Sequence, residues 1–267
     1  MPEVALPPVV AAWLAALGVL LAFGFAGWLV SLPLRNVSIV DVMWSLMFLL
    51  AAITYSVAGD GALGERAWLV LLLVGLWSLR LAAYIGWRNH GHGEDFRYRQ
   101  IRANNEPNFE FKSLYIVFGF QAVLAWIVSL PLLAGIGAAT PLGWLDWLGV
   151  ALWLVGFVFE AGGDWQLARF KANPANRGQV MDRGFWRYTR HPNYFGDFCV
   201  WWGFFLIALS AGGWWSVIGP AIMSVLLLRV SGVALLEKDI GERRPAYRDY
   251  VRRTNAFFPG PPRQPSP

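Results

Sequence analysis

The stretch RHPNYFGDFCVWWGFFLIAL, residues 190–209, changes character partway along. Its first eight residues include Arg190, His191, Asn193, Tyr194 and Asp197, and the next twelve are apolar, aromatic or glycine. A helix through the second half belongs in a bilayer, but a lipid-facing helix has no use for the first half. The stretch therefore predicts a membrane helix with a polar mouth, and so a helical membrane protein with something to bind there.

The rest of the chain agrees. It has 267 residues, of which 57% are hydrophobic and 15% charged, with 16 tryptophans and a mean hydropathy of +0.45. Soluble domains carry about 25% charged residues. The N-terminus MPEVALPP lacks the basic region of a cleavable signal. The net charge of +5 reads as basic loops on the cytoplasmic side, with no nucleic-acid partner. A single cysteine, Cys199, excludes an internal disulfide.

A spanning helix needs about 20 mainly apolar residues. Seven windows qualify, roughly 9–33, 39–58, 66–87, 113–135, 143–163, 194–211 and 213–236. The expected fold is all-α, one seven-helix domain over residues 1–267, with a cofactor-binding half at about 150–258 and a disordered tail at 259–267. An odd count puts the polar segments 88–112, 164–193 and 237–267 on one side. Every Lys and Arg except Arg66 then lies on that side, once Arg80 and Arg229 are assigned to the nearest helix ends. By the positive-inside rule that side is cytoplasmic and the N-terminus is outside.

Polar groups also enter the spans. Asp41 begins the second, Arg80 and Tyr84 share a face of the third, and Gln121 lies in the fourth. Glu160 and Asp164 are four apart at the end of the fifth and so share a face. Asp197 is one turn into the sixth, and Arg229 and Glu237 fall on nearly one face of the seventh. Ionisable groups at membrane depth cost several kcal/mol unless paired or wet, so they usually face a cavity. One such pair would only hold a bundle together; this many near one leaflet predict a site.

Within 190–197, His191 precedes Pro192, and proline suits a first helical position. The helix start offers free N–H groups to an anion or a carboxamide. Asn193 adds a donor and an acceptor, and Asp197 an acceptor. A turn at the membrane surface with Arg190 and His191 snorkelling is the plainer alternative. The segment GHGEDFRYRQIR clusters Glu94, Asp95, Arg97, Tyr98, Arg99 and Arg102, either to place guanidinium groups on a phosphate or to rest on anionic lipid. Absent are a G-x-G-x-x-G turn, a P-loop, an H-E-x-x-H and a G-x-S-x-G elbow. His90, His92 and His191 make no metal site.

EAGGDWQLARFK, GFWRYTRHPNYFGD, LRVSGVALLEKDI and RPAYRDYVRRTNAFFP together resemble the membrane-embedded steroid 5-alpha-reductase family, and most closely its bacterial branch. VDVMW and RNHGHGEDFRYRQIR look like that branch too. The resemblance implies NADPH bound from the cytoplasmic side and reduction of an activated carbon–carbon double bond in a lipid. It implies that Asp164, Lys171, Tyr188, Asn193 and Asp197 line the cofactor pocket, beside the His191 turn, with Arg229 and Glu237 closing it. Tyr247, Arg97, Tyr98 and Arg102 fall toward the adenosine and phosphate end. One departure stands out. The reductases proper activate the enone with a Gln-Glu pair on the second helix and a tyrosine on the third. Here the second helix reads SIVDVMWSLMF, and the tyrosine position reads Trp77. Asp41, as an acid of raised pKa, and Tyr84 are the candidate replacements.

The expectation is an NADPH-dependent reductase of a lipophilic, steroid-like substrate, monomeric in the bacterial inner membrane among membrane lipids, with its site open to the cytoplasm. The alternative is an S-adenosylmethionine-dependent membrane methyltransferase. Isoprenylcysteine and phospholipid methyltransferases also carry an R-H-P-x-Y-x-G turn. A third reading is a non-catalytic lipid-binding or scaffold protein.

Overall fold

The computed structural model describes residues 7–59, 63–230, 233 and 246–263. Among them every regular element is helical. The long helices are α1 (Pro8–Leu34), α2 (Ile39–Ala58), α3 (Glu65–Asn89), α5 (Phe109–Val128), α7 (Trp144–Ala172) and α8 (Pro192–Ser210). Shorter ones are α4 (Phe96–Asn105), α6 (Leu130–Ile136), α9 (Trp214–Val230) and α10 (Ala246–Arg253).

Five of these, α1, α2, α3, α5 and α7, are long and apolar enough to cross a membrane, as fits an integral membrane protein. α8 spends its first turns on Asn193, Tyr194 and Asp197, and α9 is a shorter apolar helix. Exposed tryptophans mark span length. Trp68 and Trp87 on α3 are 62% and 67% exposed. At a rise of ~1.5 Å per residue they lie roughly 28 Å apart along the axis, close to the ~30 Å hydrocarbon core. Trp144 and Trp165 repeat the pattern on α7, as interfacial aromatic anchors do.

The chain divides into two compact units, residues 1–143 with 208–216, and residues 144–207 with 217–267. In the first, α1, α2, α3 and α5 bury Leu20, Met47, Phe48, Val74, Trp77 and Phe118. Trp126 stacks on Trp13 at 3.9 Å and donates its indole N–H to the Trp13 carbonyl. The Tyr55 hydroxyl meets Ser129 at 2.7 Å. Arg66, the one cation on the wrong side of the charge asymmetry, is buried. Its guanidinium donates to the carbonyls of Thr140 and Pro141 at 2.9 and 2.8 Å and to the Thr140 hydroxyl. It is a structural tie between α3 and a loop, not a solvated loop charge.

In the second unit α7 and α8 touch backbone to backbone. Gly149, Gly156 and Gly163 recur every seven residues on α7, and Gly196 and Gly203 repeat that spacing on α8. A Cβ on Gly156 would stand 2.5 Å from the Gly196 carbonyl oxygen, and one on Gly149 would stand 2.7 Å from that of Gly203. Only glycine permits this approach, which is also how small residues let membrane helices associate.

Two boundaries differ from the sequence reading. The fifth helix runs to Ala172, beyond residue 163, because Trp165, Leu167 and Phe170 continue it past the polar face. Residues 259–263 are not a disordered tail. The Gly260 N–H donates to the Tyr188 carbonyl at 3.0 Å, and the Arg263 N–H donates to the Arg253 carbonyl at 2.8 Å.

Candidate functional site

The predicted site residues fall into two groups, one in each unit. The first is built on α2 and α4. Asp95 caps α4 by accepting from the Arg97 N–H at 2.9 Å, and Ser38 takes the Asp95 N–H at 2.7 Å. This capping turns α4 so that its side chains meet the start of α2. Asp41 there accepts from Arg97 Nη2 at 2.7 Å and from the Tyr98 hydroxyl at 2.6 Å. Gln121 of α5 donates to the Tyr98 oxygen at 3.1 Å. Glu94 accepts twice from Arg102, at 3.0 and 2.8 Å, and once from the Val37 N–H at 3.0 Å.

The electrostatics of this group follow from those partners. Burial pushes the Tyr98 phenol well above its ordinary value, and the adjacent Asp41 charge and hydrogen bond add to the shift. Burial works against ionisation of Glu94, but the Arg102 and Val37 hydrogen bonds and the Arg102 and Arg99 charges outweigh it and hold Glu94 below the usual carboxylate range. Asp95 is depressed likewise; burial is again outweighed, there by Arg97 and Arg88. The Glu94 hydrogen bond raises Arg102.

Two expectations change here. Arg97 and Arg102 are bound by carboxylates rather than open to a phosphate. Both oxygens of Asp41 act as acceptors, which makes the residue an anchor for Arg97 and Tyr98. Tyr84 is half-buried on α3, with its ring 5.7 Å from the Arg88 guanidinium carbon and 6.1 Å from Trp87.

The second group lies on α7 and α8. Glu160, Asp164 and His191 are buried, and Asn193 donates to Asp164 at 3.3 Å. Gly163 makes that meeting possible, because a Cβ there would stand 3.3 Å from the Asn193 nitrogen. Pro192 opens α8, the His191 carbonyl accepts the Phe195 N–H at 3.0 Å, and the His191 ring stacks near-parallel on Tyr194. Asp197 is half-buried one turn on. Lys171, Tyr188 and Arg229 are exposed, and Tyr247 is half-buried with its ring 5.3 Å from Tyr250. Glu237 lies outside the described residues.

Residues 189–190 have a different role, which the sequence reading missed. Arg190 is buried, and its guanidinium donates to the carbonyls of Val251, at 3.2 Å, and Thr254. These are free carbonyls at the C-terminal end of α10, where a cation is favoured. The Arg190 N–H donates to the Asn255 carbonyl at 2.9 Å, and the Thr189 hydroxyl donates to that of Phe257 at 2.8 Å. The Tyr250 hydroxyl returns to the Trp186 carbonyl, and Trp186 donates to the Gly163 carbonyl at 3.0 Å. Phe257 is buried against Phe195 and Phe198. The turn thus has two jobs: Thr189 and Arg190 fasten the tail, and Asn193 meets the carboxylate face of α7.

The family described as Protein of unknown function (DUF1295) matches residues 27–254. The chain belongs to the DUF1295 family. That family includes steroid 5-alpha-reductase-like proteins. An uncharacterized protein of Schizosaccharomyces pombe (strain 972) is 28% identical over 283 residues, covering 91% of this chain and 78% of the yeast one. No solved structure matches the chain. The DUF1295 match spans both polar groups and stops at Thr254, so the docked segment Asn255–Arg263 lies beyond it.

Proposed function

We propose that this DUF1295 protein is a membrane reductase that uses NADPH to reduce an activated carbon–carbon double bond in a lipophilic, steroid-like substrate. The observation that carries the reading is the polar niche of the second unit. There Glu160 and Asp164, only 3% and 5% exposed, end an otherwise apolar stretch of α7, and Asn193 reaches Asp164. Buried carboxylates at that depth are rare and mark a polar site within an apolar bundle.

A nicotinamide dinucleotide fits this donor and acceptor set. Ribose hydroxyls donate to carboxylates, and a carboxamide pairs with an asparagine. Asp164, Asn193 and Asp197 would hold that end beside His191. Lys171, Tyr188, Arg229 and Tyr247 would take the adenosine and phosphates, and the resemblance implies that Glu237 closes the pocket. Arg97, Tyr98 and Arg102 are left out of this set, because carboxylates already engage them. When bound, NADPH supplies a hydride for the beta carbon of an enone. The chain's task is to fix that geometry, keep the site dry and polarise the carbonyl. The reading includes seven spans, an external N-terminus and a site open to the cytoplasm.

A second reading, an S-adenosylmethionine-dependent methyltransferase, keeps one specific observation in its favour. Two arginines that would have argued for a polyphosphate ligand are neutralised by Glu94, Asp95 and Asp41. Calorimetric titration of the detergent-solubilised protein with NADPH, NADH and S-adenosylmethionine separates the readings. NADPH binding that Asn193→Ala weakens at least tenfold supports the reductase. Selective S-adenosylmethionine binding overturns it.

A further inference from the structure

The first unit contains a cavity that the reductase reading leaves unused. It has a volume of about 430 Å³, within the usual range of ligand pockets, and is lined by Leu32, Arg35, Val37, Arg102, Phe109 and Glu110, among others. Its walls are held in place. Trp28 of α1 donates to the Glu110 carbonyl at 2.7 Å. Glu94 fixes two wall residues at once, through the Val37 N–H and the Arg102 guanidinium. Arg102 also lies over the Phe109 ring, 4.5 Å from its centroid.

The charges have a definite pattern. Arg102 is matched by its two bonds to Glu94. Glu110 stands 3.7 Å from Arg102 Nη1 and is 58% exposed, so it is only loosely engaged. Arg35 ends α1 in a left-handed conformation, φ 47°, and its N–H closes the helix onto the Leu32 carbonyl. Among the described residues its side chain has no carboxylate partner. The cavity therefore offers one cation, Arg35, and one carboxylate, Glu110, with Arg102 adding directed N–H donors. Ser31 and Ser113 give their protons to the Trp28 and Glu110 carbonyls, which leaves their oxygens as acceptors on the wall.

One cation and one carboxylate lining the same cavity suit a zwitterion better than an anion. The neighbouring surface is apolar and open: Leu34 is 57% exposed at the end of α1, and Phe111 is 69% exposed one residue beyond Glu110. We infer that this cavity binds the phosphoethanolamine headgroup of a membrane lipid, with the phosphate on Arg35, the ammonium on Glu110, and the acyl chains along Leu34 and Phe111. The inference needs the membrane setting alone and is independent of the reductase reading.

The test is native mass spectrometry and lipid titration of the detergent-purified protein. The probes are phosphatidylethanolamine, phosphatidylglycerol and phosphatidylcholine of matched chains, with soluble glycerophosphoethanolamine in parallel. The expected result is one phosphatidylethanolamine retained per chain, at least tenfold preferred over the other two. Arg35→Ala and Glu110→Gln should each weaken retention about tenfold, while Arg35→Lys restores most of it. Glu110→Gln, on an exposed side chain, keeps the test decisive if Arg35→Ala fails to fold. Preference for phosphatidylglycerol, equal retention of all three lipids, or soluble headgroup binding as tightly as the lipid would each overturn the inference.

Discussion

Asp41 shows how partners decide what a residue can do. Its two oxygens face Arg97 and Tyr98, with side-chain exposures of 28% and 15% across the Arg97–Asp41 pair. A pair this sheltered is damaged more by losing one partner than by losing both, because the survivor is left desolvated. Asp41→Asn should therefore destabilise by about 1–3 kcal/mol, and Arg97→Gln by a similar amount. The double variant should be less damaging than their sum by at least ~0.5 kcal/mol. Thermal unfolding in detergent measures all three, and simple additivity would remove the anchoring role. Glu94 gives a pH counterpart. Its folded value is lowered, so its contribution is complete above the unfolded value, about 4.3, and is lost as pH falls below that. The wild type should lose its Tm advantage over Glu94→Gln on acidification through that window. A constant gap from pH 7 down to pH 3 would contradict the assignment. The sequence made Asp41 a candidate as an ionisable group at the start of a span, and Arg97 and Tyr98 candidates as members of a charged cluster. Nothing in the sequence said that α4 would fold back and join them, since that depends on the Asp95 cap and the Ser38 contact.

At the scale of elements, the α7–α8 contact and the tail clamp both have consequences. Gly156→Ala places a methyl 2.5 Å from the Gly196 carbonyl oxygen and 2.6 Å from the Val200 nitrogen, both backbone atoms that cannot step aside. The helices must separate, at a cost of about 1–3 kcal/mol. Gly18→Ala on α1 meets nothing within 4 Å and should be neutral or slightly stabilising. Parallel melting curves compare the two, and equal Tm values would show that the backbone contact is not limiting. The clamp predicts a different readout. Arg190→Met removes the donor to the α10 carbonyls, so α10 and residues 255–263 should detach. Trypsin would then cut at Arg252 and Arg253 several-fold faster than in the wild type; unchanged cleavage would mean that the aromatic contacts of Phe257 hold the tail alone. Much at this scale was legible. Apolar runs gave the long helices to within a few residues, apart from the polar end of α7, and Pro192 marked the start of α8. The seven-residue glycine spacing was also visible, although glycine reads equally as turn, kink or contact until the facing helix is known. Arg190 was misleading because a cation at a membrane surface usually snorkels. Its carbonyl partners lie more than sixty residues away in sequence.

At the scale of the whole molecule, the question is how many times the chain crosses the bilayer. Five helices pass on length and apolarity. α8 and α9 are the undecided pair, because α8 carries its polar mouth inside the helix and α9 is short. Charge distribution is the same whether or not both cross. If they did not, segments 88–112 and 164–193 would still share a side, because only α5 and α7 separate them. The same holds for the tail, since a re-entrant α8–α9 pair returns the chain to the side it left. The positive-inside rule therefore fixes the side of these loops but does not distinguish a spanning hairpin from a re-entrant one. Their connection does. Residues 211–213 join α8 to α9 and face the opposite medium only if both helices span. On a background where the buried Cys199 is replaced by alanine, a cysteine at Ala211 should react with a membrane-impermeant maleimide added outside intact cells. Cysteines at Asn104 and Gln179 should react only after permeabilisation. Labelling at Ala211 only after permeabilisation, or its protection in both conditions, would make the α8–α9 hairpin re-entrant. The polar mouth of α8 would then lie in a membrane dip rather than at the head of a full span.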